Sequence, residues 1–175
     1  ATQFSPRMRD VLGQADFNTG DANRNLRVPN AGGFSGPTDA AVLNNNLFVT
    51  DSNNHRVVVF PGGPTFSQNA TRVFGQTALD LNGPNLVEGR EFFFTGAFAG
   101  AGVTGGGLAL DGNIMYVADT LNHRVLGFRD IRTVQLGQRA DLIIGQAGPE
   151  RTLPNSPTGN LNLPNQEGLF LPHGV

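Results

Sequence analysis

One segment of the chain occurs twice, and this repetition constrains the fold more than any other feature. Residues 47–60 (LFVTDSNNHRVVVF) align without a gap with residues 115–128 (MYVADTLNHRVLGF) at an offset of 68 residues. The segments share an Asp, an Asn-His-Arg-Val run and a final Phe at equivalent positions. Repetition at a set spacing is typical of arrays in which each unit is one supersecondary motif. The sequence therefore predicts a fold built from repeated units.

A second element, two large apolar residues followed by Gly-Gln, occurs at residues 11–14, 73–76 and 143–146. Its glycines are 62 and 70 residues apart, so insertions are absorbed between the units. The ending LPHGV resembles the opening of a further unit, because Pro172 follows a Gly-Gln at about the distance that Pro37 does. These traces predict two nearly complete units with a partial unit at each end.

Each unit is predicted to contain four short antiparallel strands. In the second unit an apolar run at 108–110 is followed by Asp111-Gly112-Asn113, which is typical of a tight hairpin turn. Two further strands are predicted at 114–118 and 124–128, separated by a turn at 119–122, and a fourth ends at Ile144. Four antiparallel strands in a repeated unit are typical of a β-propeller blade.

The predicted fold is therefore all-β, a β-propeller segment of about two complete four-stranded blades. The blades are assigned to residues 37–76 and 105–146, with residues 1–14 ending a preceding blade and 147–175 forming a linker and the start of the next. A six-bladed ring of such repeats needs about 400 residues, so we expect this chain to be part of a larger ring or to self-associate through its blade faces.

Composition excludes several classes of function. The chain has no Cys, which excludes a disulfide framework and a Cys-based zinc site. All twelve basic residues are Arg, and a net charge of −2 predicts no nucleic-acid partner. No apolar run approaches the roughly 20 residues that a bilayer crossing requires, so no membrane partner is expected.

The repeated polar residues are predicted to be structural. We expect Asp51 and Asp119 to cap the turns that follow them as Asx-turns, and Asn54 and Asn122 to take the left-handed conformation. We expect Arg56 and Arg124 to pair with the aspartates or with a neighbouring blade. An Asp-His-Arg catalytic site is the alternative, but one active site does not need two copies. His55 and His123 lack the short spacing of a metal-ligand pair, so neither metal nor cofactor is predicted.

One segment departs from the repeat. Phe92, Phe93, Phe94 and Phe98 lie within seven residues, flanked by Gly and Ala. The favoured interpretation is that these rings pack beneath a linker or between blades. The alternative is an exposed aromatic surface that binds a partner or a sugar.

The linkers between the units indicate where binding would occur. In a blade of strands a to d, the b–c turn and the linker to the next blade leave from the same face. The linkers at 15–36, 77–104 and 147–171 each exceed about 20 residues, and loops of that length are usually functional or disordered. The face that carries these linkers and the b–c turns is the predicted binding surface.

The motif Asp-[Ser/Thr]-x-Asn-His-Arg-Val at 51–57 and 119–125 resembles the NHL-repeat β-propellers, and the Gly-Gln element resembles long-repeat bacterial members. That family spans protein binding, RNA binding, carbohydrate-associated surfaces and metal-dependent lyases. The resemblance implies a non-enzymatic scaffold or binding module for a protein or glycan. An alternative is a metal-dependent lyase or hydrolase whose channel site is completed by blades absent from this chain. Low charge, Asn-rich loops and absent Cys favour an extracellular or periplasmic location.

Overall fold

The computed structural model describes residues 10–62 and 66–175 of the chain. Apart from short 3-10 turns, the regular structure in these residues consists of β-strands, and the all-β prediction is confirmed. The ten strands are β1 (Pro37–Leu43), β2 (Asn46–Asp51), β3 (Arg56–Pro61), β4 (Arg72–Phe74), β5 (Thr95–Phe98), β6 (Ala101–Thr104), β7 (Leu108–Asp111), β8 (Ile114–Asp119), β9 (Arg124–Phe128) and β10 (Leu142–Ile144).

The two repeated segments form two sheets of the same topology. The first sheet has the strand order β1-β2-β3-β4 and the second has β7-β8-β9-β10, and every neighbouring pair is antiparallel. The predicted strand at residues 1–14 lies mostly outside the described residues, which begin at residue 10. Within the described part, Gly13 forms an isolated parallel bridge with Gly33.

Local sequence explains both kinds of turn. The two-residue turn between β1 and β2 needs positive φ, which Asn44 and Asn45 adopt at 48° and 58°. The β2–β3 connection is a 3-10 turn at Ser52–Asn54, and the β8–β9 connection is the equivalent turn at Thr120–Asn122. The left-handed residue after each turn is His55 or His123, so the sequence prediction that placed this conformation at Asn was wrong by one residue.

The main core lies between the two sheets. Phe74 of β4 meets Phe128 of β9 edge to face at 5.3 Å between ring centroids, and both rings are buried. Phe92 and Phe94 from the linker fill the same core and stack on each other at 4.9 Å. Burying such rings contributes about 1.5–3 kcal/mol each, so the linker is part of the core. A second cluster, including Phe34 and Phe60, covers the other face of the first sheet.

Strands β5 and β6 form a hairpin that the sequence analysis did not predict. It interrupts the repeat, because Ser35 of the first unit corresponds to Phe93 of the second at an offset of 58, whereas Pro37 corresponds to Gly105 at 68. The ten residues 95–104 are therefore an insertion in the second linker. Their two strands pair in register from Thr95 with Thr104 to Phe98 with Ala101.

Candidate functional site

A buried ion pair holds the β2–β3 turn to the linker before it. Arg56 Nε donates to Asp51 Oδ2 at 2.8 Å, and both side chains are completely buried. The other carboxylate oxygen, Oδ1, accepts the amide of Ser35 at 2.6 Å. Arg56 Nη2 donates to the carbonyl oxygens of Asn30 and Gly33, each at 3.0 Å, and Nη1 donates to that of Leu79. Arg56 thus connects the first linker with the second.

The second unit repeats this ion pair with one difference. Arg124 Nε donates to Asp119 Oδ2 at 2.7 Å, and Asp119 Oδ1 accepts the amide of Phe93 at 2.7 Å. Burial raises the pKa of the Asp119 carboxyl, and the Arg124 guanidinium opposes that shift. Arg124 Nη1 donates to Pro149 O at 2.7 Å, but Nη2 has no hydrogen-bond partner among the described residues.

The aspartates do not cap their own turns, so the Asx-turn prediction was wrong. Neither Asp51 nor Asp119 makes a side-chain cap, because both carboxylates are taken up by a linker amide and an Arg. The turns bind the linkers through their backbones as well: Asn53 N donates to Ser35 O at 3.0 Å, and Leu121 N donates to Phe93 O at 3.0 Å.

These contacts create one continuous surface, which we call the linker face. It consists of the turns 51–54 and 119–122 together with the linkers 15–36, 77–104 and 147–171. Because buried ion pairs and backbone hydrogen bonds hold the first two linkers to the turns, this surface is fixed relative to the sheets.

The two histidines bind linker backbone. His55 Nδ1 accepts the amide of Phe94 at 3.2 Å, and His123 Nδ1 accepts that of Leu171 at 3.2 Å. An acceptor nitrogen requires a neutral ring, and burial lowers the pKa of His55 to about 4. Burial also lowers the pKa of His123. Both imidazoles are therefore neutral hydrogen-bond acceptors near pH 7.

The four phenylalanines predicted as a candidate binding surface divide into two pairs. Phe92 and Phe94 are fully buried and offer no surface to a partner. Phe93 and Phe98 are half-buried and lie on the linker face. Phe93 packs edge to face on His55 at 5.6 Å, and Phe98 packs on His123 at 5.0 Å.

The hairpin insertion is the most exposed ordered element on the linker face. Its strand β5 packs against the turn Thr120–Asn122, and Gly96 faces Leu121. Its tip and β6 are exposed, apart from a half-buried Val103. The segment from Phe92 to Thr104 contains no charged residue.

Sequence analysis missed an asparagine that recurs ten residues after each Gly-Gln glycine. Asn23, Asn85 and Asn155 all have positive φ. Their amides donate to the carbonyl oxygens of Phe34 at 2.7 Å, Phe92 at 3.2 Å and Leu169 at 2.9 Å. Asn23 Oδ1 also accepts Asn54 Nδ2 at 2.8 Å. The constant ten-residue spacing after Gly-Gln was the signal that could have identified these residues.

The described residues contain no group of three or more His, Cys, Asp or Glu side chains that could hold a metal ion. Within the same part of the chain, no helix has the length and apolar character to cross a membrane.

Comparison with known proteins agrees with the repeat. The family model described as NHL repeat matches residues 34–60, which span β1 to β3 of the first sheet. The resemblance predicted from the sequence is therefore confirmed for this unit. A search of curated proteins finds no match to the chain.

Proposed function

We propose that this chain, in which residues 34–60 are an NHL repeat, is a section of a β-propeller scaffold that binds a protein partner through its linker face. NHL repeats generally form β-propeller scaffolds, and these are often used in protein binding. The strand order of the two four-stranded sheets supports the assignment of each as a propeller blade.

The observation that carries this proposal is the hairpin insertion at 95–104. The first unit makes the equivalent connection, from Gly36 to Pro37, without any inserted residue. The hairpin is therefore not needed to complete a unit, yet it is folded and presented on a surface fixed by the Asp119–Arg124 pair. Additional loops on a rigid scaffold are where binding residues are most often found.

The chemistry of the hairpin favours a protein as the partner. Ala97, Ala99, Ala101 and Gly102 are exposed, and these small side chains allow another backbone to approach closely. An uncharged surface offers no phosphate contacts, which argues against a nucleic-acid partner.

The proposal is tested by capturing partners from extracts of the source cells on immobilised protein. The variants are a deletion of residues 95–104 and, as a control, Asn45→Gly in the turn on the opposite face. A partner identified by mass spectrometry is then purified and its affinity measured for each variant. We expect the deletion to abolish binding and Asn45→Gly to leave it unchanged. A partner that binds the deletion variant with full affinity would contradict the role of the linker face.

The outer face of the second sheet supports its place in a larger assembly. Phe48 and Phe74 of the first sheet are 1% and 3% exposed because the second sheet covers them. At the equivalent positions of the second sheet, Tyr116 is half-buried and Ile144 is 49% exposed. We propose that another blade, from the same protein or a second copy, covers this face. Light scattering of the isolated chain tests the second version, which a stable monomer at high concentration would contradict.

A further inference from the structure

The second linker encloses a cavity of about 330 Å³ that the proposed protein-binding function does not use. Its walls include Gln76, Leu81, Pro84, Leu86, Arg90 and Glu91. The volume is at the lower end of the range of ligand pockets, ~300–1,000 Å³. A ligand of one or two sugar rings, or of similar size, would fill it.

The equivalent cavity of the first linker is smaller and more polar, at about 200 Å³. The two are related by an offset of 62, which places Leu81 where the first linker has Thr19 and Leu86 where it has Arg24. Glu91 takes the position of Gly33, counted back from Phe93 and Ser35. The apolar wall and the carboxylate are therefore specific to the second linker.

Glu91 is the part of this wall that points to a ligand. Its side chain belongs to a residue that is only 7% exposed, and Oε2 has no hydrogen-bond partner among the described residues. The other oxygen, Oε1, lies 3.1 Å from Arg90 Nε. A buried acceptor without a donor costs about 1–3 kcal/mol, and more when it is charged. A ligand that supplies a hydrogen-bond donor would remove this cost.

The charges around the cavity indicate what kind of donor fits. Glu88 accepts hydrogen bonds from Arg90 and from Arg139, the latter at 3.2 Å, and these two guanidinium groups lower the pKa of its carboxyl. Glu88 and Glu91 are thus balanced by Arg90 and Arg139. A neutral cluster gives no net attraction to a cation or an anion, whereas hydroxyl groups can donate to a carboxylate and accept from a guanidinium.

We propose that this cavity binds a small neutral saccharide, with one hydroxyl group donating to Glu91 and the apolar face of the ring lying on Leu81 and Leu86. Both leucines are exposed, at 43% and 66%, and a sugar ring would cover them. This inference does not depend on the proposed protein-binding function, because the cavity lies within the linker and apart from the hairpin.

The test is an NMR titration of the ¹⁵N-labelled chain with methyl glucoside, methyl galactoside and methyl mannoside and with their disaccharides. We expect at least one of these probes to shift the amides of Gly83 and Leu86. Glucosamine and glucuronate, which share the ring of glucose but carry opposite charges, should bind more weakly than the neutral sugar.

Three variants make the test specific. Glu91→Gln keeps the shape of the side chain and should weaken binding about tenfold or more, since a hydrogen bond to a charged group is lost. Leu86→Ser changes an exposed residue, so the chain should fold and binding should weaken. Glu150→Gln, at an exposed carboxylate of the next linker, should leave the affinity unchanged. No shift with any neutral sugar, tighter binding of glucosamine, or unaltered affinity in both Glu91→Gln and Leu86→Ser would overturn the proposal.

Discussion

The amide of Gly105 donates a hydrogen bond of 2.9 Å to the carbonyl oxygen of Phe94, and the ten residues between them form the β5–β6 hairpin. The two ends of the insertion therefore lie side by side. The second linker follows the path of the first on both sides of this point, since Phe93 and Gly105 correspond to Ser35 and Pro37. The hairpin is an addition to a unit that is already complete.

Deleting residues 95–104 is accordingly expected to leave the fold intact. Cooperative unfolding should persist, with a loss of about 1–3 kcal/mol in the free energy of unfolding because the contacts of Phe98 with His123 and Phe170 disappear. Urea denaturation followed by circular dichroism measures this. As a control of equal length, deleting residues 21–30 removes Asn23 and Asn30 and should abolish folding. Loss of the cooperative transition on deleting 95–104 would show that the hairpin is structural.

The two buried arginines are predicted to differ in their contribution to stability. Arg56 donates to four acceptors, whereas Arg124 donates to two. Replacing either by Met leaves a buried carboxylate uncompensated, which costs about 3–5 kcal/mol. Arg56→Met should cost about 1–2 kcal/mol more than Arg124→Met because two further carbonyl groups lose their donor.

The matched control is Arg132→Ala, which breaks an ion pair whose arginine side chain is 63% exposed. That change should alter the free energy of unfolding by about 1 kcal/mol or less. Equal losses for Arg56→Met and Arg124→Met would mean that the additional hydrogen bonds of Arg56 contribute nothing measurable. Equilibrium unfolding in urea distinguishes these results.

The repeat made the strands and the Asp–Arg pairs predictable from sequence. Strand spacing and turn chemistry are local properties, so Asn44-Asn45 and Gly112 could be recognised as hairpin turns. The pairing of Asp51 with Arg56 follows from their positions at the facing ends of two antiparallel strands. Both inferences need only the period of the chain and the geometry of a hairpin.

The path of the linkers could not be predicted in the same way. Asp51 accepts the amide of Ser35 from 16 residues away and not that of its own turn. That choice depends on tertiary packing, which places the linker against the turn before the local cap can form. The β5–β6 hairpin was missed for a related reason, because a run of Gly and Ala has little β-propensity of its own.

Each Gly-Gln glycine is predicted to be intolerant of a side chain. Gly75 has φ of 84°, and a Cβ added there would lie 2.3 Å from the ring of Phe92. Gly75→Ala should therefore reduce the free energy of unfolding by about 2 kcal/mol or more, through backbone strain and overpacking. Gly20→Ala is the control, because no atom lies within 4 Å of the added Cβ and this glycine has no positive φ. Thermal unfolding of both variants measures the difference, and equal melting temperatures would contradict the prediction.

The neutral histidines predict that the chain loses stability in mild acid. Burial lowers the pKa of His55 from its ordinary value of 6.5 to about 4, whereas the unfolded chain titrates near 6.5. Between these values the unfolded state binds the proton more tightly, so the free energy of unfolding should decrease as the pH falls from 6.5 towards 4. His55→Asn keeps a residue that tolerates the left-handed conformation and removes the titrating group. Urea midpoints measured between pH 7 and pH 5 should fall less for this variant than for the unaltered chain, and identical pH profiles would show that His55 is not responsible.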